Sequence, residues 1–143
     1  MTAISQISPV GPRCQLSRLP GARLPDNAIL CDRRSPFGNP FRVVQSSGVA
    51  GPKMWWLEVD LPPGQGGAKL RYFPDDASAK RRAFELHRDW IALPRQRMLR
   101  NKVRVEFPGC RPACGCSPDD SCHVDTLVQI ALTPMENEHA DRT

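Results

Sequence analysis

Four cysteines and a histidine crowd into one short stretch of this chain, Cys110-x3-Cys114-x-Cys116-x5-Cys122-His123. Thiolates and imidazole are zinc ligands, and zinc takes four of them tetrahedrally. One reading is therefore a metal site with Cys114, Cys116, Cys122 and His123 as ligands. The spacing speaks partly against it. Cys-x-Cys is tighter than the usual Cys-x2-Cys knuckle, and neighbouring ligands at 122 and 123 strain the geometry. An iron–sulfur cluster fits less well still. A second reading is a reactive thiol. Cys122 falls in the first turn of an expected helix, where free amides and the helix dipole favour a thiolate. His123 and Asp125 would then serve as base and orienting acid. Adjacent helical side chains point about 100° apart, so Cys122 and His123 are expected to line one pocket with different partners. A third reading is structural, with the thiols packed as small buried hydrophobes.

The choice among these depends on the compartment. The N-terminus has no basic n-region followed by an apolar h-region, so no secretory signal is read there. No stretch approaches the roughly 18 apolar residues of a membrane helix. A cytoplasmic, reducing setting follows as an expectation, and in it disulfides are rare. The remaining cysteines, Cys14 and Cys31, stand alone and read as packing residues.

The elements that must position these groups come from the pattern of the whole chain. Its 143 residues fit one domain. Hydrophobic residues are 40% and charged residues 24%, a globular rather than disordered balance. Residues 1–26 lack period and read as an irregular arm, residues 27–132 as the domain, and residues 133–143 as a polar tail. Residues 28–31 form a short apolar run, a buried strand. A loop with two prolines, a glycine and an asparagine follows, and residues 41–44 make a second strand. Residues 55–61 and 69–73 flank a Gly-rich turn and read as a hairpin. The glycines there are not a phosphate loop, since no Lys-Ser/Thr follows. Asp75 and Asp76 start a helix whose Ala79, Ala83, Leu86 and Trp90 share one face. Residues 102–107 alternate and read as a strand. A last helix runs from about 121 to 132, with Val124, Leu127, Val128, Ala131 and Leu132 on its apolar face. The fold class expected is α/β, a single small domain with a mixed, mostly parallel sheet, flanking helices and a hairpin insertion.

Charge is unevenly placed. Residues 80–104 hold nine Lys/Arg against Glu85 and Asp89, while residues 105–143 hold two Arg against seven Asp/Glu. A basic stripe can steer nucleic acid, but it also describes an ordinary solvated helix face.

Two stretches carry a resemblance. The run Ala-Cys-Gly-Cys at 113–116, with Cys122-His123-Val124-Asp125-Thr126-Leu127, resembles the pattern Ala-Cys-x-Cys-x5-Cys-His-x-Asp-x-Leu. The loop Arg33, Ser35, Gly38, Asn39, Pro40 and Phe41 resembles Gly-Arg-x-Ser-x-Trp-Gly-Asn-Pro-Phe, with Asp32 for the Gly, Phe37 for the Trp and Pro36 for a common Lys. Both patterns belong to a small family without assigned function, found in phages and bacteria. The order and spacing agree along most of residues 13–132, and Cys110 looks like a local addition.

The resemblance implies that the two loops act together. At the carboxyl ends of parallel strands they would meet in one composite site, where open α/β sheets bind ligands. Arg33 would supply a fork for phosphate or carboxylate, Gly38 close backbone approach, and Asn39 a donor and an acceptor. Ser35 belongs to the same binding loop, and the last helix would aim its free amides at the pocket. Those parts describe a small anionic ligand, most readily a nucleotide, with Cys122, His123 and Asp125 near the chemistry. The competing reading of the Gly-Asn-Pro-Phe loop is plain turn chemistry. Two further functions stay open: a zinc-stabilised module binding nucleic acid or protein through residues 80–104, and a phage accessory protein acting on a host factor.

Overall fold

The computed structural model describes residues 9–17, 21–32, 35–45, 54–59, 68–116 and 120–137. Its elements in chain order are strands β1 (Cys14–Gln15), β2 (Ala28–Leu30), β3 (Phe41–Gln45), β4 (Trp55–Val59) and β5 (Ala68–Phe73), helices α1 (Asp76–Ile91) and α2 (Arg97–Glu106), strand β6 (Arg111–Cys114) and helix α3 (His123–Ala131). The fold is α/β, but the strands do not make the single, mostly parallel sheet that the sequence suggests. They divide into two three-stranded sheets. In one, β6 lies between β1 and β2 and runs parallel to both, with Cys14 beside Ala113 and Ala28 beside Arg111. In the other, β3, β4 and β5 are antiparallel, with an irregularity between Leu57 and Glu58. The division follows from connectivity. Strands joined without a crossover helix pair antiparallel, whereas parallel pairs need a long connection. From β3 to β5 no helix intervenes among the described residues, while α1 and α2 intervene before β6.

Helix α1 begins where the charge pattern places it. The Asp75 carboxylate accepts from the Ser78 amide at 2.7 Å and caps the first turn. The helix buries Ala79, Ala83, His87 and Ile91 along one line.

Residues 102–107 are not a strand but lie mostly in α2, which follows a 3₁₀ turn over Pro94–Gln96. Exposure explains the difference. In a strand, Val103, Val105 and Phe107 would share a face. Here Val103 and Phe107 are fully buried while Val105 is 67% exposed. Spacings of three and four, from Arg100 to Val103 to Phe107, put the buried groups on one helical face.

Two cores result. Leu57, Phe73, Ala79 and Ala83 join the antiparallel sheet to α1. Cys31, Phe37, Ile91, Val103, Phe107, Val124 and Leu127 join the helices to the parallel sheet, and Cys114 and Cys122 belong to this second core. Phe37 packs edge-on against Phe107 with centroids 5.2 Å apart.

The basic stretch carries intramolecular ion pairs. Lys80 binds Asp76 and Asp120, Arg81 and Arg82 reach Glu85, and Lys102 reaches Glu106. Arg100 and Arg104 both bind Glu136, at 2.6 and 2.5 Å. The described part of the polar tail is therefore anchored, with Asn101 also bonding the Glu136 backbone on both sides. Among the described residues no helix is long and apolar enough to cross a membrane.

Candidate functional site

The parallel sheet sets the site. The carboxyl ends of β1, β2 and β6 are Gln15, Leu30 and Cys114, so Cys31 and the turn after β6 emerge together at one end. The turn at residues 35–40 then carries the chain to β3. A cavity of about 650 Å³ opens there. Its floor includes Cys31, Cys114, Cys116, Cys122 and His123. Phe41, Val43, Ala83 and Phe84 supply apolar wall, and Arg42, Lys80, Asp32 and Asp120 supply charge. Asn39 and Phe41 of the first loop thus meet the cysteine segment in one cavity.

The three thiols lie close together. The Sγ atoms of Cys114, Cys116 and Cys122 are within 4.8 Å of one another, and Cys114 and Cys122 are 3.2 Å apart. All three cysteines are free. Hydrogen bonds from Cys116 and Cys122 hold the Cys114 thiol below the ordinary thiol range, with the Arg13 guanidinium adding to the effect. Cys116 is pushed upward by its hydrogen-bonded neighbours Cys114 and Cys122 and by burial. The cluster readily sheds a first proton and resists losing the last.

Cys122 and His123 differ from the sequence expectation. They lie within reach of each other, with Sγ 3.7 Å from Nδ1. Cys122 is the N-cap of α3, with extended backbone at φ −135° and ψ 139°, so the 100° helical offset does not apply to the pair. His123 Nε2 donates to the Cys31 carbonyl at 2.7 Å. A carbonyl only accepts, so Nε2 carries a proton, and Nδ1 faces the Cys122 thiol. The group that orients His123 is thus a backbone carbonyl. Asp125, the residue expected in that role, is exposed and does not line the cavity.

The binding-loop residues are placed as follows. Ser35 Oγ donates to the Leu30 carbonyl at 2.6 Å and accepts from the Phe37 amide. Gly38 bonds back to Ser35 and does not adopt a positive φ. Asn39 reaches the cavity wall, but its Oδ1 accepts from the Phe41 amide at 2.9 Å and its Nδ2 donates to the Ala83 carbonyl at 3.3 Å. Turn chemistry accounts for Ser35, Gly38 and Asn39. Arg33 lies outside the described residues.

Three participants have no signal in the local sequence. Arg13, in a stretch read as irregular, hydrogen-bonds Cys122, and its guanidinium is held charged by Cys122, Asp125 and Cys114 against the effect of burial. Only the pairing of β1 with β6 brings it there. His87 is 1% exposed on the inner face of α1, its ring 5.1 Å from that of His123. Its Nδ1 has no hydrogen-bond partner among the described residues. Burial and the neighbouring His123 push its pKa down to about 3, so it is neutral at pH 7. Cys31, a core residue as expected, has its thiol pushed up to about 12 by burial. It contributes its carbonyl rather than its sulfur.

No curated protein and no solved structure matches this chain. The chain does match DUF4326, a domain of unknown function, over residues 14–133, a span that holds both sheets, all three helices and the thiol cluster, and it belongs to that family.

Proposed function

We propose that the cavity binds a small, nucleotide-like anion and that the thiol cluster is the end at which the protein acts on it. The observation that carries this reading is the convergence of Asp32, Asn39 and Phe41 with Cys114, Cys116, Cys122 and His123 on one cavity of about 650 Å³. That volume is in the range of small-molecule sites, roughly 300–1,000 Å³. Phe41 and Phe84 offer aromatic surface to a base. Lys80 bridges Asp76 and Asp120 at 2.8 and 3.0 Å, and an incoming phosphate would replace Asp120 as its partner. Cys122 makes no side-chain cap to α3, which leaves first-turn amides for an anion at the floor.

The test is a thermal-shift and calorimetric panel of nucleosides, nucleoside mono- and diphosphates, and inorganic phosphate. Phosphorylated nucleosides should raise Tm, and Lys80→Met should weaken them at least tenfold while leaving the unliganded fold intact. A flat response across the panel would sink the reading.

A second reading is zinc held by the cysteine segment, as a structural element of a binding module. The grouping of three sulfurs within 4.8 Å favours it. On this reading His123 completes a closed Cys₃His set, and chelation should melt the domain.

A further inference from the structure

The sulfurs of Cys114 and Cys122 are 3.2 Å apart, well beyond a disulfide bond of about 2.05 Å. Tetrahedral zinc with bonds of about 2.3 Å separates its sulfur ligands by about 3.8 Å. The observed range, from 3.2 Å to no more than 4.8 Å, brackets that value. Cys114 and Cys122 are each 1% exposed, while Cys116 is half-buried and faces the cavity with them.

His123 sits at the edge of this group, its Nδ1 3.7 Å from the Cys122 sulfur but not within 4.8 Å of all three. The three sulfurs lie mutually within 4.8 Å, and neither ring nitrogen of His123 joins them. Its Nε2 is committed to the Cys31 carbonyl at 2.7 Å. The carboxylate of Asp120 is committed to Lys80. Among the described residues the cluster therefore has three ligands, and it lines the cavity.

Charge supports a metal-bound state. Three thiolates around a divalent cation leave one negative charge. Arg13, in hydrogen-bond contact with Cys122, brings one positive charge to the cluster from 109 positions earlier in the chain. A guanidinium held against buried sulfur is compensated when that sulfur is anionic.

We infer that Cys114, Cys116 and Cys122 bind one zinc ion as a three-thiolate site whose fourth position opens into the cavity, where water or the bound ligand completes the tetrahedron. Three protein ligands with one exchangeable position is the pattern of ligand-binding rather than structural zinc. Metal binding displaces the remaining thiol protons to solvent, so no oxidant or reductant is involved. The inference builds on the cavity reading only in naming what can approach the fourth position; the metal itself is read out separately.

The experiment uses the full chain, purified under reducing conditions. Metal analysis should find about one zinc per chain. Cobalt(II) replacement should give tetrahedral d–d bands with thiolate-to-metal charge transfer. Azide or imidazole should then shift the d–d bands by entering the open position, whether or not any nucleotide binds. Cys116→Ser, the least buried change, should weaken cobalt binding by more than about 100-fold, beyond the loss typical of an outer-shell change. His123→Ala should retain the metal, with circular dichroism confirming its fold. Absence of zinc together with failure to take up cobalt overturns the site. Metal that is lost in His123→Ala and indifferent to azide and imidazole establishes a closed Cys₃His centre and overturns the open position. Failure of nucleotides to bind, with the azide response intact, removes the cavity reading and leaves the metal site standing.

Discussion

Glu136→Gln should destabilise the domain far from the cavity, by an amount that depends on pH in a stated way. The Glu136 carboxylate accepts from Arg100 Nε and NH2 at 2.7 and 2.6 Å and from Arg104 NH1 at 2.5 Å. The two arginine side chains are only 10% and 8% exposed. A neutral amide in place of the carboxylate would leave two nearly buried like charges without their counter-ion. Arg100, and after it Arg104, hold the folded carboxyl at about 2 against its ordinary 4.5. At about 1.4 kcal/mol for each tenfold change in proton affinity, this corresponds to about 3 kcal/mol. The carboxylate is 25% exposed, and solvent screening lowers the figure to about 2 kcal/mol. The folded value lies below the unfolded one, so the stabilisation is complete above about pH 4.5 and is lost as pH falls toward 2. Urea denaturation of both proteins at pH 7, 5 and 3 measures it. The gap should be about 2 kcal/mol at pH 7, with unchanged m-value, and less than half of that should remain at pH 3. A gap under about 0.5 kcal/mol at pH 7, or one of equal size at pH 3, would refute the reasoning.

Two further substitutions examine the interior beside the cavity. Asn39→Ala removes the bonds to the Phe41 amide and the Ala83 carbonyl, and should cost about 1–2 kcal/mol in chemical denaturation. Unchanged stability would show that Asn39 is not held by its turn. His87→Leu removes a buried ring nitrogen that has no partner among the described residues, and should leave the midpoint unchanged or raise it. A loss above about 2 kcal/mol would mean that His87 makes a bond essential to the fold.

How far the sequence discloses this molecule depends on whether a feature is local. Asp75 capping Ser78 is local, and so is the alternation of the hairpin strands, and both are legible in the residues themselves. The meeting of the two loops is legible through the rule that ligands gather at the carboxyl ends of parallel strands, although the sheet that obeys it has three strands among the described residues. The failures are tertiary. Residues 102–107 alternate, but Val105 faces solvent because α2 packs on α3 through Val103 and Phe107. β6 carries Pro112 in its interior, a poor strand signal, and is nonetheless the central strand. Helical spacing keeps Cys122 and His123 apart only if Cys122 lies inside the helix, and it sits at the cap instead. Arg13 lies in an aperiodic stretch whose role depends on a strand about a hundred residues away.

That last separation has a consequence for how the protein comes into being. The central strand of the parallel sheet is synthesised after both of its neighbours, and Cys14 waits for Ala113 to arrive. The antiparallel sheet and α1 can assemble from residues 41–91 alone, through contacts close in sequence. The first sheet cannot begin until β6 appears, and contacts of such long range form slowly. The cavity floor is therefore among the last parts of the molecule to take shape. On a nascent chain Arg13 and Cys31 are exposed early without the partners that later enclose them. The arrival of β6 between its neighbours is the event that first brings Arg13 to the three thiols.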